Sequence, residues 1–288
     1  MQRSSRRVRL GVVFAALVAL FVALVPTRGV AAEEDHSSRY LAIGDSVAFG
    51  YSPLLNHANA ANFIGYPNVA ARQLEDRLTN AACPGETTSG FISLSGVDNG
   101  CRTYRFAFKF PLHTTYTGTQ LAFTINFLKH HRDTQLVSID IGANDLFVLQ
   151  NQCALTKDPA GCITAGLPGT LGTIGANLDT IFSSIRNVAH YHHQLVALSY
   201  YSLNYADAAG TGITVLLNQV ISAEVTKWGG VVADGFGAFM KASTGAGGDS
   251  CAAGLLIRLS ATTCDVHPTP KGRNLLAGAI VEAAEDGD

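Results

Sequence analysis

Apolar residues follow two rhythms along this chain. Short runs rich in β-formers predict strands over 40–43, 135–141, 195–200 and 231–233. Between and after them, apolar positions three and four apart predict helices over 67–78, 120–131, within 170–190, over 214–227 and over 270–284. Pro67 suits a first helical turn. The alternation of strand and helix predicts a three-layer α/β/α sandwich around a mainly parallel sheet. In that architecture ligands sit beyond the carboxyl ends of the strands, so chemistry is sought in the loops that follow them.

Composition narrows the class without changing the fold. The chain has 288 residues, 47% of them hydrophobic and only 15% charged, which fits one substantial core rather than two domains or a disordered chain. Residues 1–32 carry Arg3, Arg6, Arg7 and Arg9, then an apolar run over 10–25, then the small residues Val30, Ala31 and Ala32. That order predicts a secretory signal peptide and a mature domain over 33–288. An uncleaved membrane anchor is the alternative, because the run falls only slightly short of the ~20 residues a spanning helix needs. Removing the leader takes away five arginines and leaves 15 basic against 22 acidic residues, a formal charge of −7. A mildly acidic surface argues against nucleic acid as a partner. No stable membrane insertion is expected after cleavage, and the chain is expected to be a monomer.

All six cysteines lie in the mature part. In an exported protein an even number points to disulfides, and nearest neighbours give Cys83 with Cys101, Cys153 with Cys162 and Cys251 with Cys264. This is one of the many pairings six cysteines allow.

Four post-strand segments carry candidate chemistry. The first strand runs directly into Gly44-Asp45-Ser46, which places a serine on a strand-to-helix turn. A serine hydroxyl needs a base to take its proton, and Cys264-Asp265-Val266-His267-Pro268 supplies a histidine with a carboxylate nearby. Gly142-Ala143-Asn144-Asp145 offers an amide to a developing oxyanion, and Cys83-Pro84-Gly85-Glu86 offers an unobstructed backbone N–H. Taken singly these are weak signals. Gly-Asp-Ser is also an ordinary helix cap, Gly85 an ordinary turn glycine and Asn144 an ordinary cap. Asp145 reads as a solvated or capping carboxylate, with orientation of Asn144 as the second reading.

Together and in this order the segments resemble the GDSL/SGNH hydrolases. Gly44-Asp45-Ser46 is similar to their first conserved block, Gly85 to the glycine of the second, Gly142-Ala143-Asn144-Asp145 to the third and His267 to the fifth. The resemblance implies a flavodoxin-like sheet and a serine carboxylic-ester hydrolase that works through an acyl-enzyme without cofactor or metal. It implies Ser46 as nucleophile and His267 as base, with the N–H groups of Ser46 and Gly85 and the Asn144 amide as the oxyanion hole. The family acid lies three residues before the histidine. Here Cys264 holds that position and Asp265 lies only two before. Either Asp265 bends back to His267 as third triad member, or a backbone carbonyl near Cys264 orients the ring.

Competing readings are few. A classical α/β-hydrolase elbow requires Gly-x-Ser-x-Gly, and Ala48 occupies the last position. His130 and His131, like His190, His192 and His193, fall at predicted helix ends and lack a metal-ligand spacing. The loop over 88–118, with Tyr104, Phe106, Phe108 and Phe110, either covers the core or lines an acyl pocket. The expected substrate is a lipid or short-chain acyl ester. A carbohydrate O-deacetylase and a non-catalytic lipid- or glycan-binding protein are the alternatives.

Overall fold

The computed structural model describes residues 38–286; the expected leader lies outside them. In chain order the main elements are β1 (Arg39–Gly44), α1 (Ser46–Phe49), α2 (Tyr66–Gln73), β2 (Arg77–Asn80), α3 (Thr88–Ile92) and α4 (Gln120–His130). There follow β3 (Thr134–Asp140), α5 (Ala143–Cys153), α6 (Pro159–Ser183), β4 (Gln194–Leu198), α7 (Ala208–Lys227) and β5 (Val231–Ala233). The chain then forms α8 (Gly235–Ser243), β6 (Leu256–Arg258), β7 (Cys264–Pro268) and α9 (Pro270–Glu285).

Five parallel strands form one sheet in the order β2-β1-β3-β4-β5. This is the flavodoxin-like order, whose direction of winding reverses between β1 and β3. Tyr40, Leu41, Ala42 and Ile43 of β1 are wholly buried, as expected for a central parallel strand covered on both faces. α9 packs against α2 and α8 on one side, while α6 packs against α3, α5 and α7. Each fully buried Leu, Ile or Phe of this core contributes about 1.5–3 kcal/mol of transfer free energy. The carboxyl ends of β1 and β3 lie side by side, Gly44 opposite Asp140, so the loops that follow them share the crevice at the switch point.

Several elements differ from the sequence expectation. The helix expected over 67–78 ends at Gln73, and its tail is the edge strand β2. β2 reads Arg-Leu-Thr-Asn and is half exposed, so it carries no apolar run. The segment over 153–162 consists of the end of α5, a short link and the start of α6. Its helical character was masked by Gly161, Gly166, Pro168 and Gly169, all poor helix formers that α6 nevertheless accommodates. α7 likewise begins at Ala208, ahead of Gly210 and Gly212, rather than at 214. α8 and the antiparallel β6–β7 hairpin had no predicted counterpart.

Candidate active site

The serine turn is dictated by β1. Gly44 has φ +126°, and a Cβ there would stand 2.1 Å from the Asp140 carbonyl oxygen, so only glycine permits this approach to β3. Gln120 clasps Gly44 from α4, accepting from its N–H at 2.5 Å and donating to its carbonyl at 3.0 Å. Asp45 caps α1 by accepting from Val47 N–H at 2.9 Å, and Ser46 opens that single helical turn.

β7 delivers the base. His267 Nε2 lies 2.8 Å from Ser46 Oγ. On the other side of the ring, Nδ1 hydrogen-bonds Asp265 Oδ1, which also accepts the His267 backbone N–H at 3.0 Å. The unusual spacing follows from local structure: residues two apart on a strand share a face, so Asp265 reaches His267 while Cys264 points away into its disulfide with Cys251. Partial burial alone would raise the Asp265 pKa, but the hydrogen bonds and positive field of His267 outweigh it and hold the carboxyl below its usual range. The carboxylate, not a carbonyl near Cys264, therefore faces Nδ1. Tyr201 donates to the Val266 carbonyl at 2.7 Å, and the Tyr51 ring packs 4.9 Å from the imidazole.

The opposite side of Ser46 carries the candidate oxyanion donors. Cys83 N–H donates to the Gly44 carbonyl at 3.0 Å, which brings the Gly85 turn to the end of β1. Gly85 has φ +81°, and a Cβ there would meet the Asn99 carbonyl at 2.5 Å. Asn144 sits in the first turn of α5, where its Nδ2 donates to Asp45 Oδ2 at 3.2 Å. Among the described residues, no protein acceptor engages the backbone N–H of Ser46 or of Gly85. Ser46 Oγ and His267 Nε2 are thus placed for proton transfer, and Ser46, Asn144 and His267 line one cavity.

Beneath the turn lies a buried acid pair. Asp45 accepts from Tyr200 Oη at 2.6 Å as well as from Asn144 and Val47. Asp140, on the neighbouring strand, accepts from Tyr66 Oη at 3.1 Å. Burial raises both carboxyl pKa values, and Asp140 is raised further by the adjacent Asp45 charge.

Some candidates serve elsewhere. Asp145 takes the capping role: it accepts from Thr88 N–H at 2.9 Å and Thr88 Oγ1 at 2.6 Å, capping α3 from α5. His130 and His131 each place Nδ1 on a carbonyl of the last turn of α4. Three disulfides join Cys83 to Cys101, Cys153 to Cys162 and Cys251 to Cys264. Cys83, Glu86 and Cys101 come together in the interior, with both sulfurs committed to that first disulfide. Among the described residues no helix is long and apolar enough to cross a membrane.

A cavity of about 300 Å³ opens beside Ser46 and His267, walled by Leu146 and Phe147 of α5 and by Ile213 and Leu217 of α7. The aromatic loop takes no part in it. Phe110 instead packs with Tyr51, Phe49 and Phe63 on the flank of α1 and Tyr104 packs on Phe110, while Phe106 and Phe108 are exposed.

The sequence pattern matches the GDSL-like Lipase/Acylhydrolase family over residues 42–275. The chain belongs to this family. Among solved structures, similar folds include a phospholipase A1 from Streptomyces albidoflavus NA297, 20% identical over 88% of this chain and 100% of that one, TM-score 0.53. An extracellular lipase from Streptomyces rimosus is 21% identical over 86% and 100%, TM-score 0.55. The acetylxylan esterase Axe2 from Geobacillus stearothermophilus is 16% identical over 86% and 94%, TM-score 0.52. At such identities the likeness establishes the shared fold. Among curated proteins none matches the chain. In this GDSL-like hydrolase Asp265 lies two residues before His267, on the same face of β7.

Proposed function

We propose that this protein is a secreted serine esterase that cleaves carboxylic esters through an acyl-enzyme. The observation that carries the reading is the chain Ser46 Oγ to His267 Nε2 at 2.8 Å, continued from Nδ1 to Asp265. In this reading His267 takes the Ser46 proton as Oγ attacks the ester carbonyl, and the N–H groups of Ser46 and Gly85 with the Asn144 amide receive the oxyanion. Collapse expels the alcohol, which takes its proton from His267. Water then enters by the same route, with His267 as base again, and releases the acid. Three disulfides accord with an oxidising, extracellular site of action.

The acyl group is assigned to the cavity between α5 and α7. The cavity measures about 300 Å³ and is walled chiefly by apolar side chains. That size supports short to medium acyl chains and exceeds what an acetyl group requires.

Hydrolysis of p-nitrophenyl acetate, butyrate, octanoate and palmitate by the purified, disulfide-intact protein tests the reading. Turnover that peaks between butyrate and octanoate and disappears in Ser46→Ala and His267→Ala supports it. Wild-type rates equal to those of Ser46→Ala on every ester would overturn it.

A further inference from the structure

Asn144 has to present an N–H, not its carbonyl oxygen, to a developing anion. Its two amide ends are alike in shape, so neighbouring groups must choose between them. Asp45 makes half of the choice by accepting from Nδ2 at 3.2 Å. The other half comes from Asn99, whose Nδ2 donates to Asn144 Oδ1 at 2.8 Å. Turning the Asn144 amide over would set its oxygen against the Asp45 carboxylate and its NH2 against the NH2 of Asn99. With one N–H on Asp45 and the oxygen on Asn99, the second N–H of Nδ2 is the part left free for a ligand.

Asn99 also touches the second donor. Its backbone N–H donates to the Gly85 carbonyl at 3.1 Å, and its own carbonyl occupies the space that a Cβ at residue 85 would need. Asn99 is in turn held by its surroundings. Asp98 accepts from Gly100 N–H at 3.1 Å and Arg102 N–H at 3.2 Å, and Cys101 is bonded to Cys83, two residues before Gly85. The half-buried segment 98–102 is therefore a brace laid across two of the three candidate oxyanion donors.

We propose that Asn99 is a positioning residue that fixes the amide orientation of Asn144 and the Gly85 turn, and so sets the strength of the oxyanion hole. This rests on the esterase reading, since its effect is expressed through the oxyanion. It acts through Asn144, makes no contact with the ester and leaves substrate affinity alone.

The test is a double-mutant cycle on p-nitrophenyl butyrate hydrolysis with Asn99→Ala, Asn99→Asp, Asn144→Ala and the Asn99→Ala/Asn144→Ala pair. Loss of one oxyanion donor lowers kcat about 10²–10³-fold, which is the expectation for Asn144→Ala. Asn99→Ala leaves the Asn144 oxygen to solvent and lowers kcat by roughly 3- to 10-fold, a fraction of that donor loss, with KM unchanged. Asn99→Asp keeps the size of the side chain but turns an acceptor toward Asn144 Oδ1, and its loss is larger, about 30- to 100-fold. In the Asn144→Ala background the effect of Asn99→Ala shrinks to less than about twofold, because the group it positions is gone.

A role in packing alone gives the reverse order, with the isosteric Asp milder than the truncation, and leaves the two alanine effects additive. Either result, with wild type active and Ser46→Ala inactive, overturns the assignment of Asn99 without touching the esterase reading. A wild type with no turnover above Ser46→Ala removes both.

Discussion

Asp265 and His267 occupy the same face of β7, two residues apart, and are joined through Asp265 Oδ1 and His267 Nδ1. A three-residue offset suits a loop, whereas a two-residue offset is what a strand provides. The hairpin with β6 and the Cys251–Cys264 disulfide keep β7 extended, so the displaced acid and the local structure belong together.

Removing that acid is therefore expected to disable the base and leave binding intact. Asp265→Asn lowers kcat by about 10²–10⁴-fold with KM within about twofold of wild type, because an amide cannot stabilise the imidazolium. Steady-state kinetics on p-nitrophenyl butyrate read this directly. Wild-type kcat in Asp265→Asn would assign the orientation of His267 to another group.

Stability is expected to depend on Glu86. Burial, reinforced by Asp98, pushes its carboxyl up to about 8, against relief from Gln120, Arg105 and Arg102. A folded-state value above the unfolded one means the folded protein holds a proton that the unfolded chain releases. The associated stability is fully present below the unfolded value and is lost as pH rises through the folded one. Glu86→Gln, neutral at every pH, is expected to melt close to wild type near pH 4.5 and progressively above it as pH rises toward 8, where the gap levels off. The gap is a few kcal/mol at most, or roughly 4–10 °C. Melting curves from pH 4.5 to 9 check both the sign and the window. A constant gap would mean that Glu86 does not titrate there.

The acyl assignment makes a prediction about chain length. Ile213 lines the cavity from α7 and is only partly buried, so a larger side chain fills space without breaking the core. Ile213→Trp is expected to reduce kcat/KM for the octanoyl ester by about tenfold and that for the acetyl ester by less than about twofold, in the range that pocket contacts control. Equal losses on both esters would move the acyl chain out of this cavity.

Reduction of one disulfide is expected to affect chemistry as well as stability. Cys83–Cys101 closes a short loop that brackets Gly85 and Asn99. Its removal in Cys83→Ser/Cys101→Ser costs about 3 kcal/mol, or roughly 6–12 °C in Tm. It also lowers kcat at temperatures where the variant remains folded. Cys153→Ser/Cys162→Ser, which ties α5 to α6 farther along the chain, changes kcat little. Comparison of the two variants at 20 °C separates the effects.

What could be read in the sequence follows from how locally each feature is encoded. β1, β3 and β4 announced themselves because most of their side chains are buried, leaving few polar interruptions, and β5 did so through its Val-Val-Ala run. β2 did not, since an edge strand of Arg-Leu-Thr-Asn has no such signature, and the glycines and Pro168 of α6 disguised a long helix that tertiary packing enforces. Ser46, Gly85, Asn144 and His267 each lie in a short segment whose residue types carry chemistry. Asn99, Gln120 and Tyr200 bond to those segments across 45, 76 and 155 residues, a relationship no local pattern records. The unpredicted β6–β7 hairpin hid the reason that an acid at position 265 reaches the ring.

Activation of Ser46 by His267 is measured most directly by covalent labelling. The disulfide-intact protein is incubated with an alkyl fluorophosphonate at neutral pH, its intact mass is followed with time, and the adduct is located by peptide mapping. One adduct per chain is expected, on Ser46, absent in Ser46→Ala and slowed by about 10³-fold or more in His267→Ala. A protein that stays unlabelled, or labels at Ser46 equally fast without His267, would contradict it.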